Sequence, residues 1–119
     1  MAGHNNLGKD GERLAKGYLE ELGFEILEEN WVFKKSEIDL IIYKNSTIVF
    51  VEVKTRRNNS FAEPEDFVSI DKQKQMALAA DEYIHLMGHQ HEIRFDVISV
   101  LFDNFGKPII KHIQDAFWP

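Results

Sequence analysis

The chain contains no cysteine. That absence excludes disulfides, thiolate nucleophiles and thiolate zinc sites at once, and leaves carboxylates, imidazoles and amines as the groups able to do chemistry. Any metal is then held by oxygen or imidazole. Long apolar runs are also missing, so nothing reads as a membrane span. The polar stretch Met1 to Lys9 lacks the basic-then-apolar order of a signal peptide. The expectation is a cytoplasmic protein with no membrane partner. No Gly-rich phosphate loop follows any candidate strand, which disfavours nucleotide-binding folds and gives no sign of a small organic cofactor. There are no internal repeats, low-complexity tracts or evident linkers. With 119 residues, a second core would leave neither half enough apolar surface, so residues 1–119 read as one domain.

What is present is ordinary in bulk: 44% hydrophobic and 29% charged residues, the composition of a globular domain. The formal net charge of −6 argues against nucleic acid, because phosphate neutralisation supplies most nonspecific affinity. The charges are unevenly distributed, however. Acids gather at Glu20, Glu21, Glu25, Glu28 and Glu29, whereas Lys34, Lys35, Lys54, Arg56, Arg57, Lys72 and Lys74 fall in the middle of the chain and would make a local positive surface.

Apolar residues at helical spacing, with Leu14, Ala15, Tyr18, Leu19 and Leu22 among them, predict an amphipathic helix from Leu7 to Leu22 that stops at Gly23. Glu12 falls roughly 20° beyond Leu19 on the wheel, at the edge of the apolar stripe. Strands are expected over Phe24–Phe33, Glu37–Tyr43 and Thr47–Lys54, then a loop from Arg56 to Asp66. A second helix should be capped by Asp71, pack through Met76, Ala80, Tyr83, Ile84 and Met87, and end at Gly88. Its face, extended back one turn, reaches Lys72. Strands over Arg94–Leu101 and Ile109–Ile113 complete the order α-β-β-β-α-β-β, an α/β fold with helices packed on a mixed central sheet. Leu40-Ile41-Ile42 and Ile48-Val49-Phe50-Val51 are apolar at every position, so both strands should be covered on both faces.

The hairpin between them concentrates charge. A two-residue turn at Asn45-Ser46 gives every cross-strand pair the same residue-number sum, so that Asp39 faces Glu52 and Glu37 faces Lys54. Opposed residues have Cβ atoms only about 4.5–5.5 Å apart, and like charges so placed repel. A carboxylate amid apolar neighbours must protonate, pair or bind a cation. Two carboxylates, a backbone carbonyl and waters suit Mg²⁺ or Mn²⁺. Lys54, two residues past Glu52, shares its face and would position an attacking water or offset charge on a phosphate. Glu37 and Glu12 would complete the cluster, and Arg56 and Lys72 would hold substrate phosphates.

The pattern Glu37-Ile38-Asp39-Leu40-Ile41 followed by Val51-Glu52-Val53-Lys54-Thr55-Arg56 resembles the PD-(D/E)xK nuclease signature. It is most similar to the YraN family of uncharacterised endonuclease-like bacterial proteins, with further matches in Gly8-Lys9-Asp10-Gly11-Glu12, Gly23-Phe24-Glu25-Ile26-Leu27, Asn30-Trp31, Lys72-Gln73 and Arg94-Phe95-Asp96-Val97. The resemblance implies a restriction endonuclease-like fold, related in plan to archaeal Holliday-junction resolvases. It also implies one or two divalent metals surrounded by Glu12, Asp39, Glu52 and Lys54. Ser36 stands where the family usually has Gly before the Glu-Ile-Asp run, and Ala62 follows Phe61 where Gly is usual. Neither change removes a ligand.

Blander readings compete. A lone E-x-K on a strand is usually an alternating solvated face, Glu12 alone a solvated helix residue, and Lys72 a snorkelling side chain. His85, His89 and His91 straddle the helix-breaking Gly88 and read as exposed loop histidines, not zinc ligands. His4 and His112 look isolated. The Trp and Phe residues read as core, except Phe61, which would stack on a base. The full set favours a DNA nuclease acting on branched or damaged structures, with a homodimer as one way for so small a domain to span a duplex. The alternatives are a noncatalytic nucleic-acid or protein-binding module with the same fold, and an ion-paired structural domain acting as an oligomer subunit, in which Glu37 pairs with Lys54 and a lysine or arginine from elsewhere neutralises Asp39.

Overall fold

The computed structural model describes residues 6–57 and 68–119. Its elements are α1 (Leu7–Glu21), β1 (Glu25–Phe33), β2 (Ser36–Lys44), β3 (Thr47–Arg57), α2 (Ile70–Met87), β4 (Glu92–Phe102) and β5 (Pro108–Ile113). They form one five-stranded sheet in the order β1-β2-β3-β4-β5. Only β3 and β4 are parallel, joined by the crossover that contains α2. This is the expected α-β-β-β-α-β-β mixed fold of the restriction endonuclease-like plan. Among the described residues no helix is long and apolar enough to cross a membrane.

Each face of the sheet is sealed by one helix. Ala15 and Leu19 of α1 pack on Leu40, Ile42, Val49, Val51, Ile98 and Val100. Met76, Ala79, Ala80 and Tyr83 of α2 pack on Ile38, Ile41, Ile48, Phe50 and Phe95. The all-apolar runs of β2 and β3 are thus buried on both sides, as their composition predicts. Gly11 lets α1 approach closely: a Cβ there would lie 1.9 Å from Thr55 Oγ1.

Several details differ from expectation. The cap of α2 is Ser69, whose hydroxyl accepts the Lys72 N–H at 3.1 Å, and Asp71 sits in the first turn. A serine in extended conformation one residue before the helix can make this bond directly. Met87, expected on the packed face, is 56% exposed. It is the last residue of the helix, three past Ile84, which does pack against the core. β3 continues to Arg57, because β4 runs alongside and pairs Arg56 with Leu101 and Arg57 with Phe102. The expected loop therefore starts later, and its remainder, with Phe61 and Ala62, lies outside the described residues, as does His4.

The β2–β3 turn is as expected. Asn45 and Ser46 both have positive φ, 53° and 63°, the signature of a two-residue type I′ turn. Lys44 pairs with Thr47 and the register runs unshifted to Leu40–Val51. There it stops. Asp39 and Glu52 are not a ladder pair, nor are Glu37 and Lys54, which corrects the cross-strand expectation. Alternation fails at the same point: Ile38 packs on the α2 side and Leu40 on the α1 side, although residues two apart in a regular strand share a face. In β1 the irregularity is matched by Asn30, at φ 52°. Its neighbours pair as Glu29–Leu40 and Trp31–Ile38, skipping Asn30 and Asp39.

Candidate metal and nucleic-acid site

The candidate site lies at the break in the β2–β3 ladder. In a continued ladder the Val53 N–H would bond to the backbone of Ile38, since hydrogen-bonded pairs alternate along an antiparallel ladder. Instead it donates to Asp39 Oδ2 at 2.7 Å. A side chain has replaced the backbone acceptor, and β2 peels away from β3. Asp39 and Glu52 still come together, by this splaying and not by direct opposition.

Their electrostatics show the strain of that meeting. Burial, then the charge of Glu52, pushes the Asp39 carboxyl up to about 7, against the opposing Val53 N–H and Lys72 ammonium. Burial also raises Glu52, opposed by Lys72, by its contact with Asp39 and by Lys54. Lys72 Nζ stands 3.6 Å from Glu52 Oε1, too long for a hydrogen bond. Glu52 Oε1 is accordingly the one buried side-chain polar atom without a hydrogen-bond partner among the described residues. Such orphans are uncommon and call for an explanation.

The other expected site residues fall into two groups. Lys54 and Lys72 both lie near enough to Glu52 to favour its charged form, so the EVK strand end and the start of α2 converge. Arg56 lies two residues further along β3. Glu12 and Glu37 sit on the α1 side, around Asn30, whose role sequence reading missed. With its nitrogen toward the two acids, the orientation its neighbours require, the Asn30 amide donates to Glu12 Oε1 at 3.2 Å and Glu37 Oε2 at 3.3 Å. Burial and the Asp39 charge raise the Glu12 carboxyl, while the Asn30 bond works the other way. Glu37 pairs with Val32 in β1 and reaches the site through Asn30. An open hollow of about 550 Å³ lined by Lys9, Glu12, Arg13, Lys16, Glu29, Asn30 and Glu37 lies on this flank. The Asn30-Trp31 resemblance was the available signal, but nothing in it revealed a left-handed residue inside a strand.

The Gly-to-Ser departure is accommodated. Ser36 is buried and its hydroxyl donates to the Gln75 carbonyl at 2.9 Å, tying the start of β2 to α2.

Topology also gathers cations. β2 begins and β3 ends at the same edge of the sheet, the β1–β2 and β4–β5 turns lie there, and α2 starts there beside Glu52. Lys34, Lys35, Lys54, Arg56, Arg57, Lys72 and Lys74 are thus collected at one end. The acids Glu21, Glu25 and Glu92 lie toward the other. An acidic chain accordingly has a cation-rich end at the splayed strands.

Among the described residues, no three carboxylate or imidazole groups converge as a ready metal cage. Asp39 and Glu52 nevertheless fit a hard divalent cation, since one is a strongly perturbed acid and the other holds an orphaned buried oxygen. His85 and His91 are exposed, and His89 Nε2 lies 2.8 Å from the Glu92 carbonyl oxygen. Among the described residues, no three His, Asp or Glu side chains are grouped there.

His112, expected to be isolated, is not. Its side chain is 4% exposed and its Nε2 donates to Asp96 Oδ2 at 2.7 Å, while the Tyr18 hydroxyl lies 3.3 Å from Nδ1. Arg94 adds two bonds to Asp96 at 2.8 and 2.9 Å, and the Asp115 N–H a third at 2.9 Å.

The chain is similar to proteins of one uncharacterised family. A family model described as "Uncharacterised protein family UPF0102" matches residues 11–100, a span that includes every residue of the site. A UPF0102 protein of Bacteroides thetaiotaomicron is 45% identical over 119 residues, covering 100% of this chain and 98% of its own. One of Flavobacterium psychrophilum is 44% identical over 118 residues, covering 99% and 98%. One of Rhodococcus jostii is 41% identical over 118 residues, covering 98% and 100%.

Proposed function

This chain belongs to the uncharacterised protein family UPF0102, the YraN family, and from that premise we propose that it is a Mg²⁺- or Mn²⁺-dependent nuclease that hydrolyses phosphodiester bonds in DNA, with branched or damaged structures as its substrates. The observation that carries the reading is the Asp39–Glu52 pair at the splayed strands, with an unsatisfied buried oxygen on Glu52 and the ammonium groups of Lys54 and Lys72 beside it.

Asp39 and Glu52 would hold the metal, with a backbone carbonyl and waters completing its shell. Bound there, Mg²⁺ or Mn²⁺ supplies Lewis acidity toward a phosphodiester and the water that attacks it. Lys54 orients that water and offsets negative charge as it develops on the phosphate. Lys72, positioned by the Ser69 cap at the start of α2, balances Glu52 before substrate arrives and contacts a phosphate oxygen once the acid is neutralised. Arg56 contacts the neighbouring phosphate. Glu12 and Glu37, spaced by Asn30, order water on the α1 flank. Water adds to phosphorus, the bond to the leaving sugar oxygen breaks, and the proton lost by water is returned to that oxygen.

The test is cleavage of branched and single-stranded DNA by the purified chain with and without Mn²⁺. Glu52→Ala and Lys54→Ala should each lower the metal-dependent rate by at least two orders of magnitude, on the scale of removing a charge-stabilising group. Cleavage that survives both substitutions would show that other groups cut.

A second reading, a noncatalytic nucleic-acid or protein-binding module, is favoured by one observation, the lack of a converged third ligand among the described residues. It predicts no calorimetric signal with Mg²⁺ or Mn²⁺. An isotherm abolished by Asp39→Ala counts against it. The ion-paired structural alternative required a cation to neutralise Asp39. The carboxyl pushed up to about 7 despite Lys72 argues against that.

A further inference from the structure

The β4–β5 hairpin tip carries a feature that the metal site does not use. Phe105 is 90% exposed, the highest value among the exposed large hydrophobic residues. It is not on a loose loop. Asp103 Oδ1 accepts the Phe105 N–H and the Lys107 N–H, both at 2.8 Å. The Asp103 N–H donates to the Lys107 carbonyl at 2.9 Å and the Gly106 N–H to the Asp103 carbonyl at 3.0 Å. Gly106 adopts φ 78° to close the turn. Five residues are thus fixed by four hydrogen bonds, three of them to one aspartate, and the ring they present has nothing packed on it.

The parallel register decides where that ring stands. Lys54 pairs with Ser99 and Arg57 with Phe102, so the tip begins one residue past the end of β3. Glu52 pairs with Val97, and from Val97 to Phe102 is five residues, or about 17 Å of strand. Phe105 therefore projects from the end of the sheet toward which β3 runs past Glu52 and Lys54, with Arg57 at the neighbouring strand end and Lys107 two residues further along the chain. An aromatic ring held rigidly in water beside cations matches one ligand chemistry well: a nucleic-acid strand, whose phosphates meet the cations and whose unpaired base has a face free to stack.

We propose that Phe105 is a stacking platform for an unpaired base of the substrate strand, set by the Asp103 turn roughly 20 Å from the Asp39–Glu52 pair. The inference rests on the nucleic-acid reading above and adds to it a preference for DNA with an unpaired nucleotide near the cut. Phe105 gives the protein a means to distinguish a fork, flap or gap from continuous duplex, which the metal site alone lacks.

The test is fluorescence anisotropy of the full chain with fluorescein-labelled DNA in EDTA, where binding is read without cleavage. Two substrates are compared, a continuous duplex and the same duplex with a single-stranded arm. Phe105→Ala and Phe105→Leu should each weaken binding to the armed DNA by about tenfold and leave the duplex within twofold. Phe105→Trp should bind the armed DNA at least as tightly as wild type. Melting temperatures of all three should match wild type, because the ring packs on nothing. Equal binding by wild type, Phe105→Ala and Phe105→Leu would overturn the inference. So would a loss shared equally by duplex and armed DNA, or a Phe105→Leu variant that binds like wild type, since leucine keeps the apolar bulk but not the ring. A wild-type chain that binds neither DNA defeats the nucleic-acid reading and this inference with it, whereas wild-type binding that the variants match defeats only the stacking role.

Discussion

Two acidic sites lie on the adjacent parallel strands β3 and β4, and they have opposite characters. Asp96, whose register partner is Val51, is fully buried. Its two oxygens accept from Arg94, His112 and the Asp115 backbone. Burial alone would raise its carboxyl, yet the bonds from His112 and Arg94 outweigh burial and hold it below the ordinary range. One residue past Val51, Glu52 and its neighbour Asp39 are raised, and a buried oxygen lacks a hydrogen bond. The same sheet can fully satisfy a carboxylate, so the deficit at Asp39 and Glu52 is local. A satisfied buried acid holds the fold together, while an unsatisfied one keeps capacity for a ligand.

Breaking the satisfied site should cost most. Asp96→Asn removes the charge that Arg94 and His112 face and cannot accept all four bonds. Loss of one partner from a buried charged cluster is worth about 3–5 kcal/mol, and urea denaturation should show a loss of that order. A loss below roughly 1 kcal/mol would mean that Arg94 and His112 find other partners.

The next largest effect concerns how the unsatisfied site is approached. Gly11→Ala places a Cβ 1.9 Å from Thr55 Oγ1 and 2.9 Å from Thr55 Cβ, so α1 must move off β3, carrying Glu12 with it. Overpacking of this kind costs about 1–3 kcal/mol. The loss should be partly recovered by Thr55→Ala in the same chain, because residues in contact are not additive. Simple additivity in thermal denaturation would place the clash elsewhere.

The pH dependence of the two sites should run in opposite directions. Asp39 has a folded value near 7 against 3.8 unfolded. Between those values the folded chain holds a proton that the unfolded chain has released, so the stability it contributes at acid pH is lost as pH climbs to about 7. Asp96, held below its unfolded value, contributes stability above pH 3.8 that is lost only as pH falls below it. Asp39→Asn should therefore stabilise the metal-free chain at pH 8 by roughly 1–2 kcal/mol, a few degrees in thermal midpoint, and do little at pH 4. Mn²⁺ should narrow the gap at pH 8 by stabilising only the wild type. A metal-free Asp39→Asn chain less stable than wild type at pH 8 would show that the carboxylate is not under strain.

This contrast also explains what sequence alone could and could not reveal. The order of elements followed from periodicity, and the turn at Asn45-Ser46 fixed the register from Lys44–Thr47 to Leu40–Val51. Asp39, Glu52, Lys54 and Lys72 lie close together, but at splayed strands and not in the cross-strand pairing that the turn predicts. The ladder break escaped notice because a pairing rule assumes that backbone acceptors stay with backbone donors, and Asp39 takes the Val53 N–H for itself. Asn30 was invisible for a related reason, since a left-handed residue inside a strand leaves no periodic mark. The Asp96 cluster joins α1, β4 and β5 through side chains distant in sequence, so His112 looked isolated. Phe105 looked like core because an aromatic residue usually is.

The smallest expected effect tests whether Asn30 does for Glu12 and Glu37 a weaker version of what Arg94 and His112 do for Asp96. An amide brings no charge, and Asn30 is exposed, so its contribution to stability is limited. Its backbone at φ 52° is tolerated by asparagine at modest cost and by glycine at less. Asn30→Gly therefore trades relief of backbone strain against loss of two hydrogen bonds, and stability should change by no more than about 1 kcal/mol. The carboxylates should register the change more clearly. Because the Asn30 bond lowers the Glu12 value while the charges of Asp39 and Glu37 raise it, removing the amide should move the Glu12 titration upward, measurable by carboxyl-carbon NMR. Asn30→Asp should move it further, by adding a third negative charge at the same place. A Glu12 titration that is unchanged in both variants would mean that the two acids are held apart by α1 and β2 alone, and that the amide merely fills the space between them.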